Sequence, residues 1–282
     1  KPAFSPQNLN GVNYICHLSV FKKSLLEKTG LYDNHYDGSQ DHDMILKLTT
    51  VAKHVSHIPE VLYFWRVHPQ SVSMNINAKT YAIDAGRNAV KDNEARLGRK
   101  TEVFSSCICA THYRLEYELQ ENPLVSILVV NNGSGKGLAR LVDSIVKRTE
   151  YDNYEICIAD FGKSSRETQQ FLALAEQEPF IQVRRFEEDV TPAAACNQMA
   201  ESVRGEYLVF LEADMEILDS RWLNRLLMYT MQDDIAVTGS RIIDPGKFIQ
   251  EAGYIIGIGA DGIAHPVEHG NTFSAPGYIG RM

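Results

Sequence analysis

The spacing of hydrophobic and polar positions alternates between two periods over the second half of the chain. From Leu124 to Val130 the residues are almost all apolar, the pattern of a strand buried on both faces of a parallel sheet. Over Gly137–Arg148 the apolar positions take helical spacing, with Leu138, Leu141, Val142 and Ile145 on one face. The alternation then repeats. A strand over Tyr154–Ala159 ends at Asp160, and a helix follows over Ser165–Gln177. Next come a strand over Ile181–Phe186 and a helix over Ala193–Val203. A last strand, Tyr207–Leu211, runs straight into Glu212-Ala213-Asp214. Strands alternating with helices predict an α/β protein with a parallel sheet wound in Rossmann style.

Upstream the pattern is less regular. A short helix is expected over Ser19–Thr29, stopped by Gly30, and another over Asp41–Val51 that opens in acids. Val61–Val67 reads as a strand, and a longer helix runs from about Ala78 to Leu97 with Gly98 as its cap. A seam follows near 100–122, where β-leaning Thr101–Ala110 and a His112–Leu119 stretch that alternates like an extended strand or linker precede the breaker Glu121-Asn122-Pro123. The expected organisation is therefore residues 1–100, a linker over 101–122, and a second part over 123–282. The chain opens on Lys1 and stops at Gly280-Arg281-Met282 without a turn or cap, which reads as a piece cut at both ends.

Composition narrows the partners. Net charge is −8, and residues 122–282 hold 14 Lys+Arg against 23 Asp+Glu, which argues against nucleic acid. An acidic half suits a phosphorylated ligand held through a divalent cation, around which carboxylates must gather. Five cysteines without a C-x-x-C pair are expected as reduced, mostly buried thiols. No stretch approaches the ~18–20 apolar residues of a membrane span. A cytoplasmic location is expected, with a peripheral place at the inner membrane face left open.

In doubly wound sheets, ligands sit beyond the carboxyl ends of the strands. Asp160 and Asp214 occupy such positions, and Glu212, Asp214 and Glu216 place three carboxylates within five residues. Hard cations such as Mg²⁺ take oxygen ligands and share them with a substrate's phosphates. The loop Gly133-Ser134-Gly135-Lys136-Gly137 has the wrong spacing for a phosphate-cradling P-loop. Kinase-like phosphoryl transfer is therefore not expected, and a diphosphate would be neutralised by metal and basic side chains.

These segments resemble the family 2 glycosyltransferases, particularly bacterial rhamnosyltransferase-like enzymes built from tandem GT-A modules. Pro123–Val130 is similar to the family's opening strand, Tyr151–Asp160 to its second, and Ala200–Asp214 to the run into its Asp-x-Asp-type metal site. Trp222-Leu223, Gly239-Ser240-Arg241 and Ile249–Gly257 echo it downstream. Gly38–Asp43 resembles the segment presenting the catalytic base, and His57–Ser71 the closing strand. The family places the nucleotide half before the acceptor half, whereas here the acceptor half comes first. The tail of one module thus precedes the head of the next, and the halves form either one permuted site or parts of two.

The resemblance implies a Rossmann-like GT-A sheet and transfer of a sugar from a nucleotide-diphosphate donor to a glycan or lipid-linked glycan acceptor, with inversion. It implies Asp41 as general base, which could equally N-cap the helix that follows. Asp43 is a first-turn dipole partner. Val130, Asn132, Asp160 and Asn197 would bind the nucleotide sugar, with Arg66 on the pyrophosphate. Asp214, Glu212 and His68 would hold Mn²⁺ or Mg²⁺, the imidazole favouring Mn²⁺. Glu212 stands where Asp or Asn is usual, and Val130-Asn131-Asn132 also departs from the family. A donor half decayed into a binding or scaffolding module is the alternative.

Overall fold

The computed structural model describes residues 4–15, 18–58, 60–64, 66, 80–106, 109–133, 135–257 and 264–275. The chain divides into two compact units, Leu119–Thr238 on one side and Lys1–Glu118 together with Gly239–Met282 on the other.

The unit that holds the chain's start opens with α1 (Pro6–Gly11), capped by the Ser5 hydroxyl, and α2 (Leu26–Thr29) behind one 3₁₀ turn at Lys23–Leu25. The longer helices are α3 (Gln40–Val51) and α4 (Thr80–Arg96). Two strands follow, β1 (Thr101–Ser105) and β2 (Tyr113–Tyr117), paired antiparallel from Thr101↔Tyr117 to Ser105↔Tyr113. The stretch that the sequence assigns to a linker thus contains a hairpin. Its alternation has a physical reading: Val103, Tyr113 and Leu115 face a core with Leu9, Ile45, Leu46 and Val90. A covered apolar face makes a strand rather than a tether. The strand expected over Val61–Val67 is not formed in its described part, where residues 61–64 are exposed and belong to no strand.

Gly86 in α4 marks how closely helix and hairpin meet. A Cβ there would lie 2.2 Å from the Tyr113 phenolic oxygen, which is itself held by donating to Ile83 O at 3.1 Å. Burial pushes the Tyr113 phenol up to about 12, so it stays a neutral donor. Gly86→Ala is expected to destabilise this unit by about 1–3 kcal/mol, the usual cost of overpacking. Chemical denaturation checks it, and a neutral result would show that the hairpin can move aside.

The second unit is the parallel sheet. In chain order it runs β3 (Val125–Asn131), α5 (Leu138–Arg148), β4 (Tyr154–Asp160), α6 (Arg166–Ala175), β5 (Ile181–Arg185), α7 (Pro192–Ala200), β6 (Tyr207–Glu212) and α8 (Trp222–Thr230). The strand order is β5-β4-β3-β6, parallel throughout, with Asn131↔Asp160 and Val130↔Glu212 in register. One face is covered by Leu138, Leu141, Val142 and Ile145 of α5, packed with Val125, Ile127 and Val129. The other carries Leu128, Cys157, Ala159 and Phe161 against Ala195 and Met199 of α7. Burial on both faces is what makes β3 a near-continuous apolar run. Helices α6 and α7 start on hydroxyl caps, Ser165 accepting from Thr168 N and Thr191 from Ala194 N, both at 3.2 Å. Lys147 and Arg148 sit in the last turn of α5, where they complement the helix dipole.

Past the sheet, β7 (Ile242–Ile243) pairs antiparallel with β8 (Ile249–Glu251), and β9 (Tyr254–Ile256) with β10 (Ala264–Pro266). Among the described residues, no helix is long and apolar enough to cross a membrane.

Candidate functional site

The carboxyl ends of β3, β4 and β6 bring together residues from three separate stretches of the second unit. Asp160 closes β4 and is 1% exposed. Its Oδ1 accepts from Asn131 Nδ2 (3.1 Å) and from the Ser164 hydroxyl (2.6 Å), and its Oδ2 from Gln169 Nε2 (2.9 Å). Asn131 Nδ2 also donates to Ser164 Oγ at 2.7 Å. These donors fix the orientation of the Asn131 amide, since a flipped carbonyl would face the carboxylate. Its Oδ1 is left buried without a hydrogen-bond partner among the described residues.

Asp160 has a structural role in this arrangement. Both its oxygens are engaged by the protein and the group is out of solvent, so it ties the ends of β3 and β4 to the start of α6. Sequence reasoning passed over Asn131, Ser164 and Gln169. A usable signal existed for the first: in adjacent parallel strands of equal length, the last residues stand side by side.

Glu212 and Asp214 differ in kind from Asp160. Both are exposed, and neither side chain is held by a hydrogen bond or ion pair among the described residues. Their backbone is well held. Ala213 N donates to Val130 O at 3.1 Å, extending the ladder, and Met215 N to Glu212 O at 3.2 Å closes a turn. Glu216, third in the acidic run, pairs with Arg148 Nη2 at 3.1 Å. Next to it, Ile217 N donates to Ser144 Oγ at 3.0 Å. The acidic run is therefore split into two open carboxylates and one committed to α5.

Two carboxylates in open positions fit a hard divalent cation, which needs only one or two protein oxygens when a substrate's phosphates complete its shell. No group of three or more His, Cys, Asp or Glu gathers among the described residues. His68, the expected third ligand, lies outside the described residues, as does Trp65. Of the expected nucleotide contacts, Val130 is half-buried and Asn132 is exposed at the end of β3. Asn197 is exposed on α7.

In the other unit, Asp41 lies in the first turn of α3 and is exposed. The N-cap position belongs to Ser39, so capping does not occupy Asp41. Its Oδ1 accepts from His42 N at 2.9 Å and its Oδ2 from Asn13 Nδ2 at 3.1 Å. Asp43 is fully buried and forms ion pairs with Lys47, one turn on, and with Arg96 Nη2 of α4 at 3.2 Å. It therefore fastens α3 to α4. His42 is also buried, with Nε2 on Leu9 O at 2.8 Å. Burial holds its imidazole below the ordinary range, against the raising influence of that bond and of Asp41 and Asp43. Arg66 is exposed.

A parallel sheet wound with helices on both faces, with an open acidic turn just past its strand ends, defines an α/β protein of the doubly wound class. Residues 122–264 match glycosyl transferase family 2, and the chain belongs to that family. Among curated relatives, it is 30% identical over 282 residues to the uncharacterized protein y4gI of Sinorhizobium fredii, covering 97% of this chain and 31% of that one. It is 30% identical over 260 residues to the O-antigen biosynthesis protein RfbC of Myxococcus xanthus, covering 92% of this chain and 20% of the relative. The chain thus spans between a fifth and a third of these relatives. Among solved structures, the mannosyltransferase PcManGT from Pyrobaculum calidifontis, in complex with GDP-Man and Mn²⁺, overlaps at a TM-score of 0.35 with 18% identity. That overlap covers 58% of this chain and 45% of the other. GalNAc-T7 with UDP, GalNAc and Mn²⁺ overlaps at 0.36 with 20% identity, over 55% and 30%.

Proposed function

We propose that the chain supplies donor-side and acceptor-side parts of a glycosyltransferase that moves a sugar from a nucleotide-diphosphate donor to a glycan or lipid-linked glycan, with inversion. The pair of unengaged carboxylates Glu212 and Asp214, just past the strand ends of a family 2 sheet, carries this reading. The name of the relative RfbC, an O-antigen biosynthesis protein, supports a setting in bacterial surface-polysaccharide synthesis. Asp214 and Glu212, with His68 as a third ligand, would hold Mn²⁺ or Mg²⁺. Such a cation neutralises the diphosphate that departs. Asn132, Val130 and Asn197 would contact the donor, with Arg66 on the pyrophosphate. Asp160, which holds the strand ends in place, would contact the base or ribose.

Asp41 is the general base in this reading. Its exposed carboxylate, steadied on one side by Asn13 and on the other by its own helix start, can accept the proton of an acceptor hydroxyl. With two modules in tandem, Asp41 and Asp214 would serve neighbouring sites, the acceptor part of one module preceding the donor part of the next. Asp41→Asn in the full-length protein is expected to lower transfer by about 10²–10⁴-fold, the usual worth of a positioned base, with donor binding unchanged. The assay follows label from UDP-, dTDP- and GDP-sugars into the glycan fraction of a membrane extract. Undiminished transfer would remove Asp41 from the chemistry.

A further inference from the structure

The loop after β3 contains three glycines, and two of them are there for space. A Cβ at Gly137 would lie 2.5 Å from the Ala213 carbonyl oxygen and 2.7 Å from the Asp214 Cα. Both are backbone atoms of the turn that carries the two open carboxylates, so no side-chain rotation can relieve the clash. Gly137 itself has φ −85° and ψ −22°, a right-handed conformation open to every residue. Conformational freedom therefore does not account for the glycine, whereas close backbone approach does.

The other end of the loop is pinned as well. Gly135 has φ +71°, and a Cβ there would meet Thr168 Cγ2 at 2.4 Å. Thr168 is buried in the first turn of α6. By contrast, Gly133 has nothing within 4 Å. The loop is thus wedged between the start of α6 and the acidic turn, with its last residue against the turn. The Glu212 and Asp214 side chains have no protein anchors among the described residues, so the direction in which they point is set by the backbone beneath them.

We infer that Gly137 is a positioning residue for the Glu212–Asp214 pair, its missing side chain setting where the turn sits. The inference rests on the reading that this pair holds a divalent cation. With a methyl group at 137 the turn must retreat by roughly 1 Å to reach ordinary contact, several times the ~0.2 Å tolerance of metal–ligand distances. The effect on metal affinity should resemble loss of a supporting partner behind a ligand, about 10–100-fold.

The test is calorimetric titration of Mn²⁺ into the full chain, alone and with UDP, dTDP or GDP present. Wild type, Gly137→Ala, Gly133→Ala and Asp214→Ala are compared at a temperature below each unfolding transition. The expected result is Mn²⁺ affinity lowered about 10–100-fold in Gly137→Ala and unchanged in Gly133→Ala, with circular dichroism the same in both. Equal affinity in Gly137→Ala and wild type would overturn the inference while Asp214→Ala still tested the metal reading separately. A Gly137→Ala protein that does not fold would also overturn it, making the contact a requirement of folding rather than of positioning. Wild type silent to Mn²⁺ with every nucleotide would remove the metal reading and this inference together.

Discussion

Asp214→Ala is expected to abolish Mn²⁺-dependent binding of nucleoside diphosphates, weakening it by at least about 100-fold, and to leave stability within about 0.5 kcal/mol of wild type. The second half of the expectation follows from geometry. The Asp214 side chain is exposed and held by no hydrogen bond or ion pair among the described residues. Removing it therefore opens no cavity and orphans no partner. The first half follows from what an uncommitted carboxylate at a strand end can do for a diphosphate that needs a cation. Glu216 is the internal control. Its carboxylate is paired with Arg148 at 3.1 Å, so Glu216→Ala should spare binding. Calorimetry with UDP, dTDP and GDP, with and without Mn²⁺, reads both variants. Binding retained by Asp214→Ala would take the metal site away from this turn.

Asp160→Ala is expected to show the opposite signature, a loss of about 3–5 kcal/mol of stability in the sheet unit. Three donors lose their acceptor at once: Asn131 Nδ2, the Ser164 hydroxyl and Gln169 Nε2. Ser164 and Gln169 are only half-buried and can turn to water. Asn131, 1% exposed, cannot, and an unsatisfied buried donor costs about 1–3 kcal/mol. Asp160→Asn should cost less. Its amide oxygen still accepts from Asn131 and Ser164, and its NH₂ group can face the Gln169 carbonyl once that amide turns over. Denaturant unfolding measures the stability loss, and nucleotide titration below the transition measures the rest. A variant that unfolds like wild type yet binds no nucleotide would make Asp160 a ligand contact rather than a structural tie.

These two aspartates look alike in sequence. Asp160 ends β4 and Asp214 lies two residues past the end of β6 in the same sheet, so the strand-end rule selects both. What separates them is the neighbourhood. The strand ending at Asp160 has a neighbour on either side, and Asn131 lies directly across from it in register. Asp214 follows β6, which lies at the end of the sheet order, and the turn carries the side chain out to solvent. The same divergence occurs in the other unit. Asp41 and Asp43 are two residues apart in one helix, yet one is exposed and the other fully buried between Lys47 and Arg96. That Asp43 is structural follows from helix geometry, since positions two apart point to different faces. Which face is inward depends on α4, which closes over it.

The hairpin over residues 101–117 shows an alternative that the sequence left open. Its alternation was visible as an extended pattern, but an extended pattern alone does not separate a strand from a tether. The distinction lies in whether Val103, Tyr113 and Leu115 find a surface to cover, and that surface comes from Leu9, Ile45, Leu46 and Val90, remote in sequence. The segment at 61–64 is the converse case. Its residues are as β-prone as any in the chain, yet they belong to no strand, because strand propensity is decided by context rather than by the segment alone.

The sequence by itself determined the α/β order, the places where strands end, and the concentration of carboxylates at the strand ends. All of these are local: periodicity and breakers act over a few residues. Only the tertiary structure decided which carboxylates are spent and which are open, and why a glycine stands at 137. Asn131 reaches Asp160 across 29 residues and Arg96 reaches Asp43 across 53. Gly137 meets a turn that lies beyond three further strands of the chain. Such meetings depend on strand register and on which elements become neighbours, and these follow from the burial of the whole core.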